Sequence, residues 1–215
     1  MPNTTALLAG ASGLIGREIC AQWQGPGELH LLVRSAPVQR GPLQRVHVVD
    51  FNQLPPLPPA DEAYCCLGTT IAVAGSEAAF RTVDFDAVLA FARAAKAAGV
   101  SRFGAVSALG ASPRSATFYN RVKGEMEVAL AGLGFESLVL ARPSLLAGNR
   151  AALGQPQRLG ERLALALTAP LSALIPAAWR PVQAARVARA LTRAVAERRP
   201  GLRLVESAEL QSLGA

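Results

Sequence analysis

Ala6-Leu7-Leu8-Ala9 runs directly into Gly10-Ala11-Ser12-Gly13-Leu14-Ile15-Gly16, and this stretch decides the fold. Four apolar residues ended by glycine read as a buried strand. Residues 14–23 carry Ile15, Ile19 and Trp23 on one face and read as a helix. The glycines between them are spaced G-x-x-G-x-x-G. Gly10 permits a tight turn, Gly13 lets backbone N–H groups approach a pyrophosphate with no side chain between, and Gly16 lets the helix pack on the strand. The helix N-terminus then faces the phosphates of a dinucleotide. Ser12, Leu14, Ile15 and Arg17 belong to the same loop and first helical turn, and are expected to touch the cofactor.

Outward from this unit the chain keeps alternating short apolar runs with helical patterns. Strands are expected at 29–33, 46–49, 63–67, 103–106 and 137–141, and a further short one at 202–205. Helical patterns fill an alanine-rich segment from Ser76 to near Gly99, with Asp84 and Phe85 inside it, then 117–131, then a basic stretch at 182–196. Continuous apolar strands with helices between them predict a parallel sheet covered on both faces. The fold class is therefore α/β: a Rossmann-type doubly wound parallel sheet with a small C-terminal substrate-side region. One domain is expected over 1–215, with 1–142 as the cofactor-binding core and 143–215 as the substrate or lid region. In such sheets ligands bind beyond the carboxyl ends of the strands. Gly10, Arg34, Asp50, Gly68, Thr69, Thr70, Ser107 and, just past Arg142-Pro143, Ser144 all fall at that edge.

Bulk properties narrow the function. The net charge is +7, almost entirely from arginine, since 22 Lys+Arg include only two lysines, Lys96 and Lys123. The arginines are scattered and aromatics make up 5% of the chain, so nucleic acid is not the expected partner. Cys20, Cys65 and Cys66 show no metal spacing and sit among apolar neighbours, which reads as reduced, buried thiols and no bound metal. The start lacks the basic n-region of a secretory leader, and a cytoplasmic location is expected. Residues 163–179 are uncharged and mostly apolar, but the run is short for a membrane span and contains Pro170 and Pro176. It reads instead as a pocket lid or as the contact of a homodimer.

The second strand ends Val33-Arg34-Ser35. An NAD site usually places Asp or Glu here for the ribose hydroxyls. With no carboxylate to repel a 2′-phosphate and Arg34 available to clamp one, NADP(H) is favoured over NAD(H). Asp50 and Phe51 are expected to contact the adenosine end. The chain has two tyrosines, and one of them stands in Tyr119-Asn-Arg-Val-Lys123, four residues and one helical face from a lysine. A phenol beside an ammonium is a proton-transfer device. Tyr119 is expected to donate a proton to a developing alkoxide, Lys123 to support the tyrosine and bind ribose, and Ser107 to stabilise the substrate oxygen.

Four segments carry a resemblance: the glycine loop, Cys65-Cys66-Leu67-Gly68-Thr69-Thr70, Tyr119-Asn-Arg-Val-Lys123-Gly-Glu125 and Arg142-Pro143-Ser144. Over residues 3–200 the chain resembles the atypical short-chain dehydrogenase/reductases, above all the Tat-interacting oxidoreductase-like proteins and their bacterial relatives. The resemblance implies NADP(H) binding through Gly10, Gly13, Gly16 and Arg34, a catalytic set of Ser107, Tyr119 and Lys123, and a nicotinamide side lined by Thr69; Leu67, Gly68, Arg142 and Ser144 are also expected to touch the cofactor. It departs in having Ala108 where relatives often carry a second serine, and the region after 142 is too short to hold a bulky nucleotide-sugar. The expected function is an NADP(H)-dependent oxidoreductase acting on a small, apolar carbonyl or alcohol as its substrate. The alternatives are an NADP(H)-binding regulatory protein whose basic C-terminal region docks a partner, and an NAD(P)-dependent epimerase or dehydratase.

Overall fold

A computed structural model describes residues 4–35, 41–147, 176 and 178–215. Most of the apolar stretch 163–179 lies outside the described residues. The elements run β1 (Ala6–Ala9), α1 (Leu14–Gln22), β2 (Leu29–Val33), β3 (Gln44–Val48), β4 (Glu62–Cys65), α2 (Ile71–Ala74), α3 (Glu77–Arg81), a π-helical turn (Thr82–Asp86), α4 (Ala87–Ala97), β5 (Arg102–Val106), α5 (Phe118–Ala131), β6 (Ser137–Arg142), β7 (Leu146–Ala147), β8 (Val182–Gln183), α6 (Ala184–Ala196), β9 (Gly201–Glu206) and α7 (Ser207–Leu213).

Seven of these strands form one all-parallel sheet in the order β3-β2-β1-β4-β5-β6-β9. The first six follow the Rossmann order 3-2-1-4-5-6, and the chain reverses direction across the sheet between β1 and β4. β1 is wholly buried because it is flanked on both sides and covered on both faces. Its alternate residues feed two cores. Ala6 and Leu8 join Ile15, Ile19, Leu191 and Val195 under α1 and α6, while Leu7 and Ala9 join Phe91, Phe103 and Met126 under α4 and α5. The tail thus does more than border a pocket: β9 completes the sheet beside β6 and α6 packs on α1. Among the described residues no helix is long and apolar enough to cross a membrane.

Candidate active site

The glycine loop closes as the spacing requires. Gly10 has φ +86°, and a Cβ there would sit 2.5 Å from the Cys66 carbonyl, so the turn runs flat against the end of β4. A Cβ on Gly16 would lie 2.1 Å from the Gly10 carbonyl oxygen, which is how α1 comes down onto β1. Gly13 is the N-cap of α1, and no side chain among the described residues caps that N-terminus. The orphan N–H groups of a helix start need a partner, and an anion is the natural one. A side chain at Gly10 or Gly16 would collide with backbone and force the loop open, so the glycines keep the helix start close and uncovered, an arrangement that fits a dinucleotide pyrophosphate.

One cleft opens over the carboxyl ends of β1, β4 and β5. Its lining brings together Gly13, Leu14, Ile15, Leu67, Gly68, Thr69, Ser107, Tyr119 and Lys123 of the expected residues. Helix α5 delivers two of these. Gly124 lets it close against the loop after β5, where a Cβ would stand 2.1 Å from the Ser112 carbonyl carbon. The ring of Tyr119 is braced by Phe80 at 5.3 Å between centroids. Ser107 follows β5 directly and is buried, with its Oγ finding no partner among the described residues. A buried hydroxyl without a partner costs free energy, and this one borders the cleft.

Lys123 is 3% exposed and its Nζ lies 2.8 Å from Asp84 Oδ1. Burial pulls the lysine down, but the Asp84 carboxylate and the neighbouring Tyr119 outweigh it and hold the amine above the usual lysine value. Asp84 enters from the π-helical turn, and its Oδ2 also accepts the Thr69 backbone N–H at 2.8 Å. Nothing in the motif spacing announces Asp84. One signal was present: Phe80, Asp84, Val88 and Ala92 share a single four-residue stripe, so a carboxylate sits where the helix faces the core. Thr70, at the β4 edge as expected, also lines the cleft, and Val73, Val106 and Leu146 are further lining residues that motif reading missed.

The remaining expected residues are placed differently. Ser12 and Arg17 are exposed at the loop and the first turn, with Arg17 Nε donating to the Ser12 carbonyl. Arg34 is exposed just past β2, at the same sheet edge. Four of the expected residues have side chains engaged elsewhere in the chain. Asp50 turns its carboxylate to the backbone and side-chain N–H groups of Asn52. Phe51 is buried in the core cluster that holds Phe91 and does not border the cleft. Arg142 is taken up by its own chain, donating to Glu127 through Nε and Nη2 and to Glu206 through Nη1, because α5 and β9 bring those carboxylates to the end of β6. Ser144 Oγ donates to the Arg180 carbonyl instead of pointing into the cleft. The three cysteines are free thiols; burial pushes Cys20 up to about 11 and Cys65 up to about 12, which leaves them unreactive near neutrality. No group of His, Cys, Asp and Glu suited to a metal ion occurs among the described residues.

No family model matches the chain. Individual proteins do. The rat protein HTATIP2 is 35% identical over 174 residues, covering 76% of this chain and 70% of the relative. The FMP52 protein of Eremothecium gossypii is 36% identical over 151 residues, covering 67% of each chain. Among solved structures, MoeE5 in complex with UDP-glucose and NAD superposes with a TM-score of 0.71 over 98% of this chain and 81% of its own, at 17% identity. The Helicobacter pylori ADP-L-glycero-D-manno-heptose-6-epimerase does so with a TM-score of 0.70 over 95% of this chain and 77% of its own, at 16% identity. At that identity these structures speak to the fold alone. The fungal FMP52 relatives are named mitochondrial, which overturns the cytoplasmic expectation. That expectation rested on reduced thiols and the missing secretory leader, and neither separates the cytoplasm from other reducing compartments. With a Rossmann sheet in the ordinary strand order, a glycine cradle, and a tyrosine, lysine and serine over one cleft, and with HTATIP2 and FMP52 as relatives, the chain belongs to the atypical branch of the short-chain dehydrogenase/reductase family.

Proposed function

We propose that the protein is an NADP(H)-dependent oxidoreductase that interconverts a small, apolar carbonyl compound and its alcohol. The observation that carries this reading is the orphaned Ser107 hydroxyl, which borders the same cleft as Tyr119 and Lys123. Bound nicotinamide supplies or accepts the hydride. The residues of the chain do the rest. Gly13 and the open start of α1 hold the pyrophosphate. Leu67, Gly68 and Thr69 form the wall beside the nicotinamide. Ser107 donates a hydrogen bond to the substrate oxygen, and Tyr119 gives its phenolic proton to that oxygen as negative charge grows on it. Lys123 stays protonated in its buried ion pair, so it serves as a fixed positive charge and hydrogen-bond donor and not as the proton source.

NADP(H) is favoured over NAD(H) because the residue just past β2 is an exposed arginine, a group that attracts a 2′-phosphate, where a ribose-binding carboxylate would repel it. The apolar members of the lining, Leu14, Ile15, Leu67, Val73, Val106 and Leu146, favour an uncharged substrate. The reading is tested by incubating the protein with a panel of aldehydes and ketones and following nicotinamide absorbance with NADPH and, separately, NADH. Turnover of at least one carbonyl, with NADPH preferred and the preference reduced in Arg34→Ala, supports it. Cofactor binding with no turnover of any carbonyl contradicts it. An epimerase or dehydratase would instead convert substrate with no net change in absorbance.

A further inference from the structure

The strongest unexplained feature of the cleft is a buried charge. Asp84 is 0% exposed, yet no expected role in hydride transfer uses it. Burying a carboxylate–ammonium pair costs desolvation on both sides, and an apolar pair of similar volume is often no less stable, so a pair kept inside is weak evidence for stability alone. Its surroundings point to the site. Oδ1 has no partner among the described residues besides the Lys123 ammonium, 2.8 Å away. Oδ2 accepts the Thr69 N–H, from the loop that forms the cleft wall. Gly68 passes directly over the pair: a Cβ there would lie 3.3 Å from Asp84 Oδ1 and 3.8 Å from Lys123 Nζ. The carboxylate reaches this position from a π-helical turn between α3 and α4, a local widening that recurs at functional sites.

We propose that Asp84 is a positioning residue of this site: its carboxylate holds the Lys123 amine at the cleft and locks it to the Gly68–Thr69 wall. The assignment deepens the oxidoreductase reading and rests on it. A lysine ammonium has three donors. One meets Asp84, a second points toward the Val106 carbonyl at 3.5 Å, and the third is left for the cleft. The ionisable groups around the amine are Asp84 from the π turn, Tyr119 one turn earlier on α5 and the Cys65 thiol at the end of β4. Of these, Asp84 is the carboxylate, so its charge is what keeps a buried amine protonated.

The chain itself supplies the probe, because Lys96 and Lys123 are its two lysines and Lys96 is exposed. Lysine labelled with ¹³C at the ε-carbon gives two signals, and their titration is followed from about pH 6 to about pH 11. In the wild type the Lys123 signal should stay in its charged form beyond the pH at which Lys96 titrates. In Asp84→Asn, which keeps the size and the acceptor for Thr69, it should titrate below Lys96. kcat/KM should fall roughly tenfold or more, the scale of one charge-assisted hydrogen bond. Its pH profile should turn down on the alkaline side at a lower pH than in the wild type. Lys123 titrating with or below Lys96 in the wild type, or unchanged in Asp84→Asn, overturns the proposal. If Asp84→Asn does not fold, the double variant Asp84→Asn/Lys123→Met, with both charges removed, should regain a thermal midpoint near the wild type; an equally unfolded double variant counts against a charge-holding role. The lysine titration needs no substrate, so a protein that reduces no carbonyl sinks the oxidoreductase reading while Asp84 is still judged on the titration.

Discussion

At the sheet edge over β1, β4 and β5, polar groups are left without partners among the described residues: no side chain caps α1, and the Ser107 hydroxyl is buried and unpaired. The basic C-terminal region does the opposite. Along α6, Arg186, Arg189 and Arg193 donate to the carbonyls of Gln211, Gly214 and Leu213 at the end of α7, and Arg203 bridges Glu197 and Glu209. Cations over the open carbonyls of a helix C-terminus are a favourable arrangement within one chain. Charge density therefore misleads here. These arginines bond within their own chain. The part with few charges holds the unpaired polar groups on which the proposed function rests.

That contrast can be broken by substitution. The largest effect is expected for Gly16→Val. A Cβ at that position would overlap the Gly10 carbonyl at 2.1 Å, and backbone cannot step aside cheaply. Thermal unfolding should show a loss of about 3 kcal/mol or more, and a fluorescence titration should show no NADPH binding. Ser107→Ala comes next and has two opposite signs. Removing an oxygen that stabilises developing charge should lower kcat about a hundredfold, while removing a buried, unpaired hydroxyl should leave the thermal midpoint unchanged or slightly raised. A falling midpoint would mean that Ser107 has a structural partner. Arg193→Gln should do the reverse. It loses a hydrogen bond to the Leu213 carbonyl, worth about 1 kcal/mol in a denaturant titration, and leaves NADPH affinity as it was. A change in affinity would show that the two regions are coupled.

The smallest effect concerns pH and lies far from both regions. His30 Nδ1 and His47 Nε2 are 2.8 Å apart across β2 and β3. Burial first, and the neighbouring His47 second, hold His30 below the usual histidine value. Its folded value is thus lower than its unfolded one. The stability it contributes is complete above the ordinary histidine value of about 6.5 and is lost as pH falls from there through the folded value. Denaturant midpoints measured between about pH 5 and 8 should decline on the acid side, and His30→Leu should flatten that decline.

The sheet was legible because its strands are buried on both faces and therefore apolar without interruption. Ala6–Ala9 and Leu29–Val33 stand where the sequence places them. Where a strand runs into the cleft the pattern overreaches: 63–67 reads as one strand, but pairing ends at Cys65, and Cys66 and Leu67 belong to the wall of the cleft. Helix α7 escaped notice because only Leu210 and Leu213 mark its inner face in seven residues. In the site, Tyr119, Lys123 and the glycines were readable because their chemistry is local, within one loop or one helical turn. Arg142 and Asp84 were not, because their partners lie far along the chain. Glu206 is 64 residues from Arg142, and only the placing of β9 beside β6 joins them. Asp84 meets Lys123 only when α5 closes on the π turn.

Tyr119→Phe tests the central claim most directly, through NADPH affinity and single-turnover reduction of the best carbonyl measured on the same preparation. The phenol borders the cleft but carries no hydrogen bond that holds the fold among the described residues. We predict unchanged NADPH affinity and a reduction rate lower by about a hundredfold to ten-thousandfold, the range of a lost general acid. Reduction at the wild-type rate would contradict the account, since the proton would then come from somewhere other than this hydroxyl.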